Sequence, residues 1–146
     1  MRVYIDADGC PVVDITARLA KKAGVDCFIV CDTSHDYEKE GAKTITVPKG
    51  NDSVDFVLVN LVRKGDVVIT QDYGLAAMCL ARGATAVSQN GLIYSDSNID
   101  SLLMQRYTAK KIRLAGGKMK GPSKRTAEQN RAFEETLEKL LSTSQG

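Results

Sequence analysis

Val3-Tyr4-Ile5-Asp6-Ala7-Asp8-Gly9 is an apolar run, rich in β-branched residues, that ends in two aspartates and a glycine. The same grammar returns in Val67-Val68-Ile69-Thr70-Gln71-Asp72-Tyr73-Gly74. In both, a strand-like segment passes through an acid and a glycine into a helical pattern. That alternation predicts βαβ units around a parallel sheet. Ligands of such sheets bind beyond the carboxyl ends of the strands, so Asp6, Asp8 and Asp72 are expected along one edge. Carboxylates converging there repel one another unless a cation lies between them, and hard oxygen donors suit Mg²⁺ or Mn²⁺. The competing reading is that Asp8 and Asp72 cap helices, a common task for aspartate. Capping accounts for one acid per helix start but not for the pair Asp6 and Asp8.

Working outward, residues 2–6 predict a first strand. A helix follows from Pro11, with Val12, Ile15, Leu19 and Ala23 at helical spacing and Gly24 as its C-cap. Residues 25–31 predict a second strand, 32–41 a polar loop and 44–47 a third strand. A second helix is expected from Asn51 or Asp52 to Gly65, burying Val54, Leu58, Leu61 and Val62. Strands over 67–70 and 84–87 flank a helix over 73–82, and an Asn90-Gly91 turn leads into a further apolar run at 92–94. A helix over 97–114 and a last helix over 126–141 complete the chain. The last one carries a capping box, Thr126 with Gln129, and an apolar stripe of Phe133, Leu137, Leu140 and Leu141. The expected architecture is a single α/β domain over 1–146: a mainly parallel, Rossmann-like sheet with helices on both faces, right-handed crossovers and a C-terminal helix. Strand order is not legible at this level.

Composition bounds the function. With 146 residues, 43% hydrophobic and 26% charged, the chain reads as soluble and globular. It has no run approaching the ~18 apolar residues of a membrane span and no signal-peptide pattern, so a cytoplasmic location is expected. The four cysteines and single histidine lack zinc-ligand spacing, and Cys27 and Cys31 read as small buried hydrophobes. The net charge of +2 hides an asymmetry: residues 101–127 hold eight bases and no acid, leaving 12 bases against 18 acids elsewhere. A basic strip on an acidic body suits a polyanion held on one surface and processed at another; a solvated helix face with a loop is the plainer alternative.

Other residues carry weaker signals. Asp52 reads as the N-cap of the second helix, and Asp55 shares its face and could be a first-turn acid or a ligand. Thr70 points to the same side as Asp72 and could bond a scissile phosphate or satisfy backbone. His35, between Ser34 and Asp36, reads as an exposed or substrate-edge residue, since triads are assembled in space rather than in sequence. Asp96 and Asp100 read as capping residues. Gly116-Gly117 before Lys118 does not match a P-loop, which would need glycine at Ile112.

Four motifs in series, Asp6-Ala7-Asp8-Gly9-Cys10-Pro11, Gly50-Asn51-Asp52-Ser53-Val54-Asp55, Thr70-Gln71-Asp72-Tyr73-Gly74-Leu75-Ala76 and Gly117-Lys118-Met119-Lys120-Gly121-Pro122, resemble the YaiI/YqxD family of bacterial proteins. That family is similar to PIN-like domains, metal-dependent nucleases with acids at their strand ends. The resemblance implies Asp6, Asp55 and Asp72 as core acids, Asp8 as an additional acid, and Asp96 as the nearest match to a fourth PIN acid. It implies Mg²⁺ or Mn²⁺ as cofactor and hydrolysis of a phosphodiester, with RNA favoured. The substrate would be held by the basic strip over 106–125, with Thr70, Lys118, Lys120, Lys124 and Arg125 as contacts. Two alternatives stand beside it. Asp6-Ala7-Asp8-Gly9 also matches the nucleophile motif of dehalogenase-like phosphatases, and a non-catalytic RNA-binding protein with a degenerate site fits the same composition.

Overall fold

The computed structural model describes residues 1–33, 38–50, 53–116 and 124–143. The chain runs β1 (Arg2–Asp6), α1 (Val13–Ala23), β2 (Asp26–Asp32), β3 (Lys43–Val47), α2 (Ser53–Leu61), β4 (Val67–Ile69), α3 (Tyr73–Ala81), β5 (Thr85–Val87), α4 (Asp96–Leu114) and α5 (Ala127–Thr143). Its five strands form one sheet in the order β3-β2-β1-β4-β5, with every pairing parallel. From β1 the chain moves outward through β2 to β3, then returns through α2 to lay β4 against the other side of β1. The order therefore reverses between β1 and β4, and their carboxyl ends border a switch-point crevice.

β1 is covered on both faces, which is why its apolar run is continuous rather than alternating. Val3 and Ile5 pack with Val12, Leu19, Phe133 and Leu137 under α1 and α5. Tyr4 packs with Val54, Leu58 and Leu75 under α2 and α3. Side chains alternate along a strand, so Asp6 leaves β1 on the α2/α3 side. Cys27 and Cys31 are buried in the first of these cores, as small hydrophobes. A third cluster, Ala76, Ala86, Tyr94 and Ile99, ties α3 to α4.

Several boundaries differ from the sequence expectation. α1 begins at Val13 rather than Pro11, because a turn intervenes: Cys10 N–H donates to Ala7 C=O at 3.0 Å, and Gly9 takes φ 71°. The third residue of such a turn needs positive φ, which glycine supplies without steric cost. β2 is shifted by one residue, to Asp26–Asp32, and so ends on an acid. α2 stops at Leu61, short of Gly65, since Asp66 captures the Arg63 N–H at 2.9 Å and turns the chain. Residues 92–94 are not a strand; Val87 and Ile93 form one antiparallel bridge. α4 starts at Asp96, capped by a Ser95–Asn98 box that the sequence reading overlooked. The Thr126–Gln129 box at the start of α5 forms as expected.

α5 is seated against the turn at Gly91. Gly91, at φ 86°, lies so close to α5 that a Cβ there would stand 2.6 Å from the Ala132 carbonyl oxygen. Thr136 Oγ1 donates to Gly91 C=O at 2.9 Å. At the amino edge of the sheet, buried Asp66 accepts from Arg2 N–H at 3.0 Å and from Arg63 N–H, binding β1 and β4 at the end opposite the crevice. Asp66→Ala would strand two backbone donors, so a loss of about 1.5–3 kcal/mol of unfolding free energy is expected in urea denaturation.

Candidate functional site

The crevice at the strand ends is an open cleft of about 300 Å³ lined by Asp6, Asp8, Asp32, Gly50, Ser53, Val54, Asp55 and Asp72. Each acid arrives on a different structural device. Asp6 is the last residue of β1, and Asp8 follows in the turn that Gly9 closes. Asp32 ends β2, Asp55 sits in the first turn of α2, and Asp72 caps α3. Four elements and one turn thus deliver five carboxylates to one concavity. A narrower recess of about 70 Å³ shares Asp6 and Asp8 and continues past Cys10, Thr70, Gln71 and Gln89. Among the described residues a roomier hollow of about 500 Å³ lies along α1, where Lys21 pairs with Glu40 and Lys39 with Asp14.

Thr70 organises the centre of the cleft. Its hydroxyl donates to Asp6 Oδ2 at 2.8 Å and accepts the Asp72 N–H at 3.0 Å. Its backbone is fixed as well, the N–H by Val87 C=O at 3.0 Å and the C=O by the Tyr94 hydroxyl at 3.1 Å. Thr70 therefore positions Asp6. Asp72 Oδ1 accepts the Leu75 N–H at 3.1 Å, so the capping reading of Asp72 holds, and the same carboxylate lines the cleft. The amino ends of α2 and α3 face this space, where their positive dipole ends favour anionic side chains.

Burial is the main force on Asp6 and raises its pKa above the ordinary carboxylate value; the Thr70 bond opposes the rise, and the charges of Asp72 and Asp8 add to it. Cys10 is the one thiol at the cleft, and burial pushes it up to about 11, with Arg125 opposing and Asp6 assisting. It is thus a protonated thiol near neutral pH, unsuited to nucleophilic attack. Among the described residues, no group of three or more His, Cys, Asp or Glu side chains is gathered tightly enough to hold an ion in the present rotamers. The donor set nevertheless suits a hard cation in kind, since every charged group lining the cleft is a carboxylate.

The structure brings together Asp6, Asp8, Asp55 and Asp72, and adds Asp32, which the sequence reading left in a loop. The available signal was its place at the end of an apolar run, the same signal that marked Asp6. Asp96, the nearest match to a fourth acid, opens α4 and does not line the cleft. Arg125 is engaged internally: its guanidinium donates to Asn130 Oδ1, Asn90 Oδ1 and Gln89 C=O at 2.6–2.8 Å, pinning α5 to the segment after β5. Lys124 is exposed beside it. Lys118, Lys120, His35 and Asp52 lie outside the described residues.

A parallel sheet with an acid-lined switch point defines the class. The sequence profile of the uncharacterised YaiI/YqxD family matches residues 4–143, and the chain belongs to that family. It is 51% identical to a UPF0178 protein of Exiguobacterium sibiricum over 97% of this chain and 96% of the relative. A UPF0178 protein of Ruminiclostridium cellulolyticum is 50% identical over 94% and 90% of the two chains. One from Clostridium acetobutylicum is 46% identical over 97% of each. No solved structure gives a significant match. No helix among the described residues is long and apolar enough to cross a membrane.

The raised pKa of Asp6 has a definite sign. Its carboxylate is less stable in the folded chain than in the unfolded one, so its contribution is most favourable below the ordinary value of 3.8 and is lost as pH rises through the raised value. Asp6→Asn should therefore melt at or above the wild-type temperature at pH 7 without divalent cation. The advantage should shrink as the pH is brought down toward 4. Melting curves across that range check this, and a variant uniformly less stable than wild type would mark Asp6 as a structural anchor.

Proposed function

We propose that the chain is a divalent-cation-dependent hydrolase of phosphodiester bonds, acting on RNA in the manner of PIN-like nucleases. The observation that carries this reading is the meeting of Asp6, Asp8, Asp32, Asp55 and Asp72 around one open cleft at the sheet's switch point. Asp6, Asp8, Asp55 and Asp72 would hold Mg²⁺ or Mn²⁺, with Asp32 completing the set. When bound there, such a cation supplies Lewis acidity and lowers the pKa of a coordinated water.

The chain's own residues have separate tasks. Thr70 holds Asp6 Oδ2 and so fixes the orientation of that carboxylate at the cleft. Cys10 remains a neutral wall of the recess. Arg106 lies over the ring of Tyr73, 5.6 Å from its centroid, and Tyr73 directly follows Asp72. One charge of the basic strip thereby stands at the α3 side of the cleft, where it can hold a phosphate of the RNA backbone. Lys124, and Lys118 and Lys120 with it, would extend that hold, giving salt-sensitive and weakly sequence-selective binding.

The test is cleavage of a labelled single-stranded RNA with Mn²⁺, Mg²⁺ or EDTA. Wild type should cleave only with a divalent cation, and Asp6→Asn should fall by about 100-fold or more. Thermal melts give a second readout: Mn²⁺ should raise the wild-type melting temperature and leave Asp6→Asn and Asp55→Asn unmoved. Turnover of small phosphomonoesters with inhibition by beryllofluoride would instead assign Asp6 as a covalent nucleophile. Absence of any cation-induced shift would remove the metal from the reading.

A further inference from the structure

α4 is built unlike the other helices. It is 19 residues long, yet Ile99 is its one buried residue. It rests on α3 through Ile99 and the half-buried Leu102, near its amino end. Beyond that contact Leu103 is 43% exposed, Met104 63%, Tyr107 57%, Ile112 40% and Leu114 78%, which is unusual for large apolar side chains on one helix.

Three of these five share one stripe with charged residues, while Met104 and Ile112 lie outside it. At about 100° per residue, Asp100, Leu103, Tyr107, Lys110, Lys111 and Leu114 fall within an arc of roughly 100°. The steps of three and four between Asp100, Leu103, Tyr107, Lys110 and Leu114 follow the spacing of helix-pairing seams. Along that stripe the charge runs from acid at the amino end, through an apolar centre, to base at the carboxyl end. Such a stripe complements itself when reversed. About a two-fold axis near residue 105, Asp100 faces the Lys110 and Lys111 pair of a second copy, and Leu103 faces Tyr107. A parallel arrangement would set each charge against its own likeness, which is repulsive. Lys111 already lies over the Tyr107 ring, 5.4 Å from its centroid, so the basic end of the stripe is drawn over its apolar centre.

We propose that α4 is the interface of a two-fold dimer of this chain, its exposed face packed antiparallel against the same face of a second copy. The contact is isologous, so each charge pair is made twice. Arg106 and Arg113 fall outside the arc, and Arg106 stays on Tyr73 beside the acidic cleft. The dimer does not depend on the proposed hydrolytic activity and is tested without it.

Sedimentation equilibrium of the full chain should show a monomer–dimer system with a dissociation constant of about 10–100 µM, as fits a small interface. Asp100→Lys alone, and Lys110→Asp with Lys111→Asp, should each weaken association at least about tenfold. An equimolar mixture of those two variants should recover wild-type association, because the opposite reversals match across the axis. Tyr107→Ala leaves every charge in place and should weaken the dimer too, with far-UV circular dichroism unchanged. A wild-type chain still monomeric at about 1 mM would overturn the proposal. So would a dimer indifferent to these substitutions, or a mixture that fails to re-associate. Loss of RNA binding by the same variants of a monomeric chain would assign the face to nucleic acid instead.

Discussion

A single hydroxyl group holds the centre of this molecule in register. Thr70 Oγ1 donates to the carboxylate that ends β1 and accepts the N–H that opens α3. It therefore joins the two sides of the switch point, where no strand pairing continues. Its own backbone is clamped by Val87 and Tyr94, so the bridge does not drift. Remove the hydroxyl and Asp6 keeps the burial that penalises its charge while losing the bond that offsets it. The cleft is thus a balance: like charges are drawn together by the sheet topology and made tolerable by one hydrogen bond and two helix ends.

Much of this was legible in the sequence, for identifiable reasons. The runs through Val3–Asp6 and Val67–Ile69 read as strands because both faces of β1 and β4 are covered, which leaves unbroken apolar text. Asp6, Asp8 and Asp72 were found from their place after such runs. Asp55 was ambiguous on local rules, because an acid in a first helical turn is favoured with or without a ligand; only the return of α2 across the sheet sets it in the cleft. Asp32 was missed because β2 extends one residue further than its last apolar residue, a boundary fixed by pairing with Val47 on β3 rather than by composition.

Pro11 was expected to open α1, and Arg125 was expected among the substrate contacts. In each case the structure shows a bond distant in sequence, or a turn closed by backbone, at that residue. The 7–10 turn delays the helix, and Arg125 is captured by Gln89 and Asn90, 36 and 35 positions earlier. A basic residue in a charge run gives no hint that its donors are already satisfied. Asp72 shows the converse, since capping and lining the cleft are not exclusive roles for one carboxylate.

The position of α5 bears on how the chain is made. Phe133, Leu137 and Leu141 cover the face of the sheet that carries Val3 and Ile5, and the contacts between α1 and α5 join the first-made helix to the last. Until α5 docks, the part of that face left uncovered by α1 is open to water, however early β1 pairs with β2. Nascent or prematurely terminated chains therefore display an apolar sheet surface, the kind of species that aggregates and engages chaperones. The close fit of Gly91 against Ala132 leaves no room for a side chain at that turn, so the seating of α5 depends on a glycine far from it in sequence.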